Sequence, residues 1–166
     1  MNIISFLNLS ADNWQTYKNL RLQSLHDAPD AFGSTLEREA EFSDDEWISR
    51  LVFEGKSKLP IIALVNDEPI GLAFGVLHYP TDDTAFIYQM WVNPKVRGLG
   101  ISRLMINNLV DWAKSLNVGY LSLEVTTNNL AAINLYKTSG FEAFGSLEKL
   151  RESSSLYTQA MRKPLK

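Results

Sequence analysis

The residues best equipped for chemistry in this chain run from Val96 to Met105, where Arg97-Gly98-Leu99-Gly100-Ile101-Ser102-Arg103 joins a β-rich run to a helix. Two glycines let the backbone approach a ligand closely, and the loop opens a helix whose first N–H groups have no intrahelical partner. With the helix macrodipole and the charges of Arg97 and Arg103, the junction is an anion site suited to phosphate. What the loop lacks narrows the ligand. No Lys-Ser or Lys-Thr follows the second glycine, as a nucleoside-triphosphate loop requires, and Arg103 stands where a dinucleotide loop needs its third glycine.

The elements that present this loop are legible on either side of it. Phe86 to Val92 is aromatic and β-branched enough for a buried strand, ended by Asn93-Pro94 because proline has no amide hydrogen for a ladder. From Ser102 onward Met105, Leu109, Trp112, Ala113 and Leu116 recur at helical spacing and form one apolar stripe. A turn at Asn117-Val118-Gly119 leads into a strand from Tyr120 to Val125. Elsewhere the pattern predicts strands at Ile3–Leu7, Pro60–Val65 and Pro69–His78, helices at Asp12–Leu25 and Asp44–Phe53, and a closing pair at Phe141–Leu147 and Ser155–Met161. Asp27 to Ser43, with Pro29 and Gly33, reads as a mobile loop.

With 166 residues the chain is expected to form one domain, 1–166, with a real core. Its 45% of apolar residues fall in short segments, so no membrane partner is expected, and Met1 to Phe6 reads as a strand rather than a signal peptide; the expected location is cytoplasmic. The absence of cysteine excludes disulfides, thiolate metal sites and a cysteinyl intermediate, and with two histidines no metal centre is expected. A net charge of −3 argues against nucleic acid as a partner. Nine carboxylates between Asp27 and Glu54 face only Arg38 and Arg50. They read as a solvated face, with Ser43 to Glu46 capping a helix; the competing reading is an acidic wall that attracts a cationic amine.

Arg97-x-x-Gly100-x-Ser102 resembles the Arg/Gln-x-x-Gly-x-Gly/Ala signature of the GNAT N-acetyltransferase superfamily, with Ser102 in place of the usual glycine or alanine. Serine is small and a good helix cap, so the exchange should be tolerated. A second pattern follows in the family's order. Asn129-x-x-Ala132-Ile133-x-Leu135-Tyr136, then Gly140-Phe141, resembles the family's asparagine before a short helix whose tyrosine precedes Gly-Phe. The two patterns span Phe86 to Gly145, and Arg21-Leu22-x-x-Leu25 with Ala31-Phe32-Gly33 resembles openings seen in many members.

The resemblance implies a mixed α/β GNAT-like fold: a central, mostly antiparallel sheet of about seven strands, a splayed parallel central pair, and helices on both faces. It implies acetyl-coenzyme A as cofactor, its pyrophosphate on Arg97, Gly98, Leu99, Gly100, Ile101, Ser102 and Arg103. The pantetheine arm would then meet the backbone of Met90, Trp91 and Val92 and lie beside Asn129, Ala132 and Tyr136. The implied reaction is direct acetyl transfer to a primary amine of a small molecule, with a peptide N-terminus or lysine as the alternative acceptor. A non-catalytic acyl-coenzyme A sensing module would keep the phosphate loop without needing Tyr136. Homodimers are frequent in the family.

Transfer to an amine needs a neutral nucleophile, an oxyanion donor and a proton for the departing thiolate. Tyr136 matches the family's tyrosine acid, although a phenol of pKa about 10 protonates a thiolate whose acid is about 8.5 only with help from geometry. The oxyanion donor is expected among the backbone N–H groups of Met90 to Val92. Tyr88 and Gln89 fill the region where some members carry a basic glutamate. Glu124 is the one carboxylate on a central strand, on the face of Ser122 and opposite Leu121, Leu123 and Val125. It is either the group that takes the amine proton, directly or through water, or a paired structural carboxylate; His78 is a weaker candidate.

Overall fold

The computed structural model describes residues 1–166. Strands β1 (Ile4–Asn8), β2 (Lys58–Val65), β3 (Glu68–Val76), β4 (Thr84–Val92), β5 (Tyr120–Thr126), β6 (Glu142–Lys149) and β7 (Tyr157–Pro164) form one sheet in the order β1-β2-β3-β4-β5-β7-β6. Every pairing is antiparallel except β4 with β5. Helices α1 (Trp14–Asp27), α2 (Leu36–Ala40), α3 (Asp44–Ser49), α4 (Ile101–Ser115) and α5 (Leu130–Thr138) complete the chain.

The sheet is covered on both faces. On one side Tyr17, Leu20 and Leu25 of α1 and Trp47 of α3 pack on Ile62, Leu72, Phe74 and Trp91. On the other, the predicted stripe of α4 is buried at Met105, Leu109, Trp112 and Ala113, and Ile101, Ile106 and Val110 widen it. Gly75 sets how closely α4 approaches β3, because a Cβ there would lie 2.5 Å from the Trp112 ring. Tyr136 of α5 joins the same core.

The central parallel pair is short. β4 and β5 pair only at Thr84–Tyr120, Ala85–Leu121 and Phe86–Ser122, and then diverge. The cause lies on the opposite edge of β4. Leu72 faces Trp91 and Phe74 faces Tyr88, so two residues, Gln89 and Met90, oppose Ala73 alone. Gln89 takes the left-handed φ of 56° that such a bulge demands, and a bulge bends and twists its strand.

The segment expected to be a mobile loop is instead anchored. It contains α2, capped where Thr35 Oγ1 accepts from the Arg38 amide at 3.2 Å. Arg151 donates to the carbonyls of Pro29 and Phe32 at 2.6 and 2.9 Å, and Thr126 Oγ1 donates to that of Asp30 at 2.6 Å. Most of its carboxylates are exposed, and Ser43 Oγ accepts from the Glu46 amide to cap α3, as the sequence predicts. Glu39 departs from that pattern. It has no exposed surface, accepts two bonds from Arg21 at 3.0 and 2.8 Å, and takes a third from Arg50 at 2.8 Å. Arg50 also donates to Tyr17 Oη at 3.0 Å, and Tyr17 donates to Gln89 Oε1 at 2.9 Å. One polar chain thus links α1, α2 and α3 to the bulge in β4.

Burial alone would raise the Glu39 carboxyl; the hydrogen bonds and charge of its arginines, Arg21 foremost, outweigh it and bring the pKa to about 2. A depressed carboxyl stabilises the fold above the ordinary carboxylate range, and that contribution fades as pH falls toward the folded value. Glu39→Gln leaves two arginines without their anion and is expected to cost about 3–5 kcal/mol at neutral pH. Urea unfolding should show the gap from wild type narrowing as pH drops from about 4.5 toward 2.

Candidate active site

The glycine loop folds as an anion cradle. Gly100 stands at the N-cap of α4 with φ 77°, Gly98 has φ 86°, and no protein atom lies within 4 Å of where a Cβ would stand at either. The first bond inside α4 runs from the Leu104 amide to the Gly100 carbonyl, so the amides of Ile101, Ser102 and Arg103 have no helical partner. Ser102 lies inside the helix and does not cap it; Gly100 does, because the chain enters α4 through a left-handed residue. Arg97, Gly98, Gly100, Ile101, Ser102 and Arg103 line a cavity of about 560 Å³, together with Met90, Trp91, Val92, Asn129, Ala132 and Tyr136. Leu99 is the one loop residue outside the lining, its side chain turned to solvent.

Both loop arginines are held in place. Arg97 donates through Nε to the Val92 carbonyl at 3.0 Å and pairs with Asp27 at 3.2 Å; Asp27 also accepts from Trp91 Nε1 at 2.9 Å. Arg103 donates to Thr138 Oγ1 at 2.9 Å, tying α4 to the end of α5. Asp27 is a site residue that sequence reasoning missed. Its only signal was its place at the end of α1, distant in sequence from both partners.

A second cavity of about 380 Å³ lies beyond the first, and the two share Ala31, Phe32, Met90, Asn129, Ala132 and Tyr136. The splay between β4 and β5 is therefore the passage between them, with Ile87, Gln89, Leu123, Glu124 and Val125 on the far side. Asn129 Oδ1 accepts from the Ala132 amide at 3.2 Å and caps α5, and its side-chain amide has no protein partner. Trp91 is both core and site: it is buried among α1 and α3 residues while it lines the first cavity.

Tyr136 lines both cavities where they meet, and burial rather than any side-chain hydrogen bond sets its hydroxyl's environment. Burial pushes its pKa up to about 12. Glu124 lines the second cavity, and its carboxyl is raised above the ordinary range, first by burial and then by the charge of Glu148. Tyr88, beside it, is raised by burial and by Glu124, and its hydroxyl lies 2.8 Å from His78 Nε2. The acidic wall does not form. Of the nine carboxylates between Asp27 and Glu54, only Glu39 lines this cavity, and two arginines neutralise it.

The residues present fit a pyrophosphate and an extended arm. Free amides and two arginines converge on the loop, and the strand edges that part beyond Phe86 and Ser122 offer backbone groups without ladder partners. Residues 20–141 match the family model described as acetyltransferase (GNAT) family. The chain belongs to that family, whose members use acetyl-coenzyme A as acyl donor.

Among curated proteins it is similar to an L-2,4-diaminobutyric acid acetyltransferase of Marinococcus halophilus, 31% identical over 46% of this chain and 45% of that one. It is also similar to the N-alpha-acetyltransferase RimI of Mycobacterium tuberculosis, 32% identical over 46% of this chain and 47% of that one. The alignments thus span less than half of either relative. Its fold is shared with spermidine N-acetyltransferase from Vibrio cholerae in complex with CoA and spermine, at a TM-score of 0.75, 19% identity and coverage of 98% and 95%. No helix is long and apolar enough to cross a membrane.

Gly100→Val is the direct test of the cradle. The side chain meets no protein atom, so the cost to folding is the left-handed strain alone, about 1–3 kcal/mol. Calorimetric titration with acetyl-coenzyme A should nonetheless show affinity lowered about tenfold or more, because the valine occupies the ligand's side of the loop. Unchanged affinity in a folded variant would remove the loop from the binding site.

Proposed function

We propose that this chain is an acetyl-coenzyme A-dependent N-acetyltransferase that passes the acetyl group directly to a primary amine of a small molecule. The observation that carries the reading is the meeting of two cavities at Tyr136 and Met90 across the parted β4 and β5 strands. Two ligands, one in each cavity, can meet at this shared lining, as a ternary complex requires. Acetyl-coenzyme A supplies the acyl group as a thioester. The relatives' names include both small-molecule and protein N-terminal acetylation, so they do not choose the acceptor. A cavity walled by α1, α2 and β5 favours a small amine over an extended peptide.

Within this reading the chain's residues divide the proton work. Glu124 faces the acceptor side, and its raised carboxyl is a better proton acceptor than an ordinary one. Backbone N–H groups of Met90 to Val92 border the passage and serve as the oxyanion donor. Tyr136, protonated at every physiological pH, is placed to give its proton to the departing sulfur. Its pKa of about 12 makes that donation uphill for a water-exposed thiolate. The burial that raises the phenol also raises the basicity of a thiolate formed beside it, which narrows the gap.

Calorimetry with acetyl-coenzyme A, followed by free-thiol release against amines and peptides, tests the reading. Binding with turnover on small amines is expected; binding with no turnover on any acceptor would identify a sensing module instead. Tyr136→Phe should keep cofactor affinity within about twofold and lower turnover about 10²-fold. The acid limb of kcat/KM should lie above the ordinary carboxylate range, since activity needs Glu124 ionised and its pKa is raised. Glu148→Gln removes one cause of the rise and should move that limb to lower pH. A limb that ignores Glu148 would make Glu124 a structural carboxylate.

A further inference from the structure

The charges that line the acceptor cavity do not balance. Three arginines, Arg21, Arg38 and Arg50, line it against two glutamates, Glu39 and Glu124. Glu39 is used up. Its carboxylate is fully buried and holds both Arg21 and Arg50, so that cluster keeps one excess positive charge. Arg38 adds a second, exposed and paired with no carboxylate. Within the cluster Arg21 is 4% exposed, yet its Nη1 is buried with no hydrogen-bond partner. Such a donor costs free energy until an acceptor meets it. Glu124, with no cation paired to it, stands on the β5 wall.

We infer that the acceptor is a small amino-acid-like molecule, whose amine is received on the Glu124 side while its carboxylate is held by Arg38 and the Arg21–Arg50 cluster. This deepens the N-acetyltransferase reading and rests on it. Guanidinium groups suit a carboxylate because their fixed N–H fork pairs with both oxygens, and the bonds are charge-assisted. A polyamine fits the same space badly. With one amine on the Glu124 side, its next ammonium would fall among unbalanced arginines, where like charges repel. Specificity then comes from repulsion at the arginine end as much as from attraction.

The test compares amines that differ only by the carboxylate: 2,4-diaminobutyrate with 1,3-diaminopropane, ornithine with putrescine, and phenylalanine with phenethylamine. Free-thiol release should favour the carboxylated member of at least one pair by about tenfold or more in kcat/KM. Arg38 is exposed, so Arg38→Gln should fold normally. It should shrink the preference mainly through a higher KM, and Arg38→Lys should restore part of it. Equal or faster turnover of the decarboxylated members would overturn the inference and leave the transferase reading standing. Should no amine be turned over, calorimetry of the same pairs in the presence of coenzyme A decides separately. Selective binding of a carboxylated member would uphold the inference while the transferase reading fell, and binding without preference, or none, would overturn it.

Discussion

The parting of β4 and β5 after three residue pairs is the constraint on which the rest of the site depends. A parallel pair that continued would satisfy its own backbone and leave no passage. The bulge at Gln89 and Met90 turns β4 away, and the positive φ of Gln89 is the strained residue that makes the turn. That strain is held from outside the sheet. Gln89 is bonded to Tyr17, Tyr17 to Arg50, and Arg50 to Glu39, which Arg21 clamps from α1. The polar chain that secures the opening therefore also walls the second cavity. Shape and charge of that cavity share one origin.

Its energetics explain why the network is buried. A salt bridge on the surface contributes little, whereas a buried one is costly to break because the remaining charge has no water. Glu39 with two arginines is of the second kind, and it ties to α1 the two short helices α2 and α3, which at five and six residues have little intrinsic stability. Arg97 and Asp27 are of the first kind, partly exposed and weak. With the Arg97 bond to the Val92 carbonyl, that pair keeps the guanidinium beside the loop.

Tyr136 and Glu124 both line the second cavity, and burial raises both. Burial keeps the phenol protonated and increases the carboxylate's affinity for a proton, which are the shifts that the proposed acid and the proposed base would each use.

The glycine loop, the strand before it and the helix after it were legible in the sequence because their signals are local: glycine conformation, proline punctuation and helical spacing act within a few residues. The tyrosine before Gly140-Phe141 was legible for the same reason. Long-range pairing hid the remainder. Nothing near Glu39 marks it as buried, since its partners lie in α1 and beyond α3, and it reads as one more carboxylate on a solvated face. Asp27 joins Trp91 and Arg97 only after α1 docks on the sheet. The sequence by itself determined the glycine turn that opens α4 and the tyrosine that precedes Gly140-Phe141, whose geometry follows from neighbouring residues. Only the tertiary structure decided the opening of the sheet and the charges that line the second cavity, because both depend on side chains and strand edges brought together from distant parts of the chain.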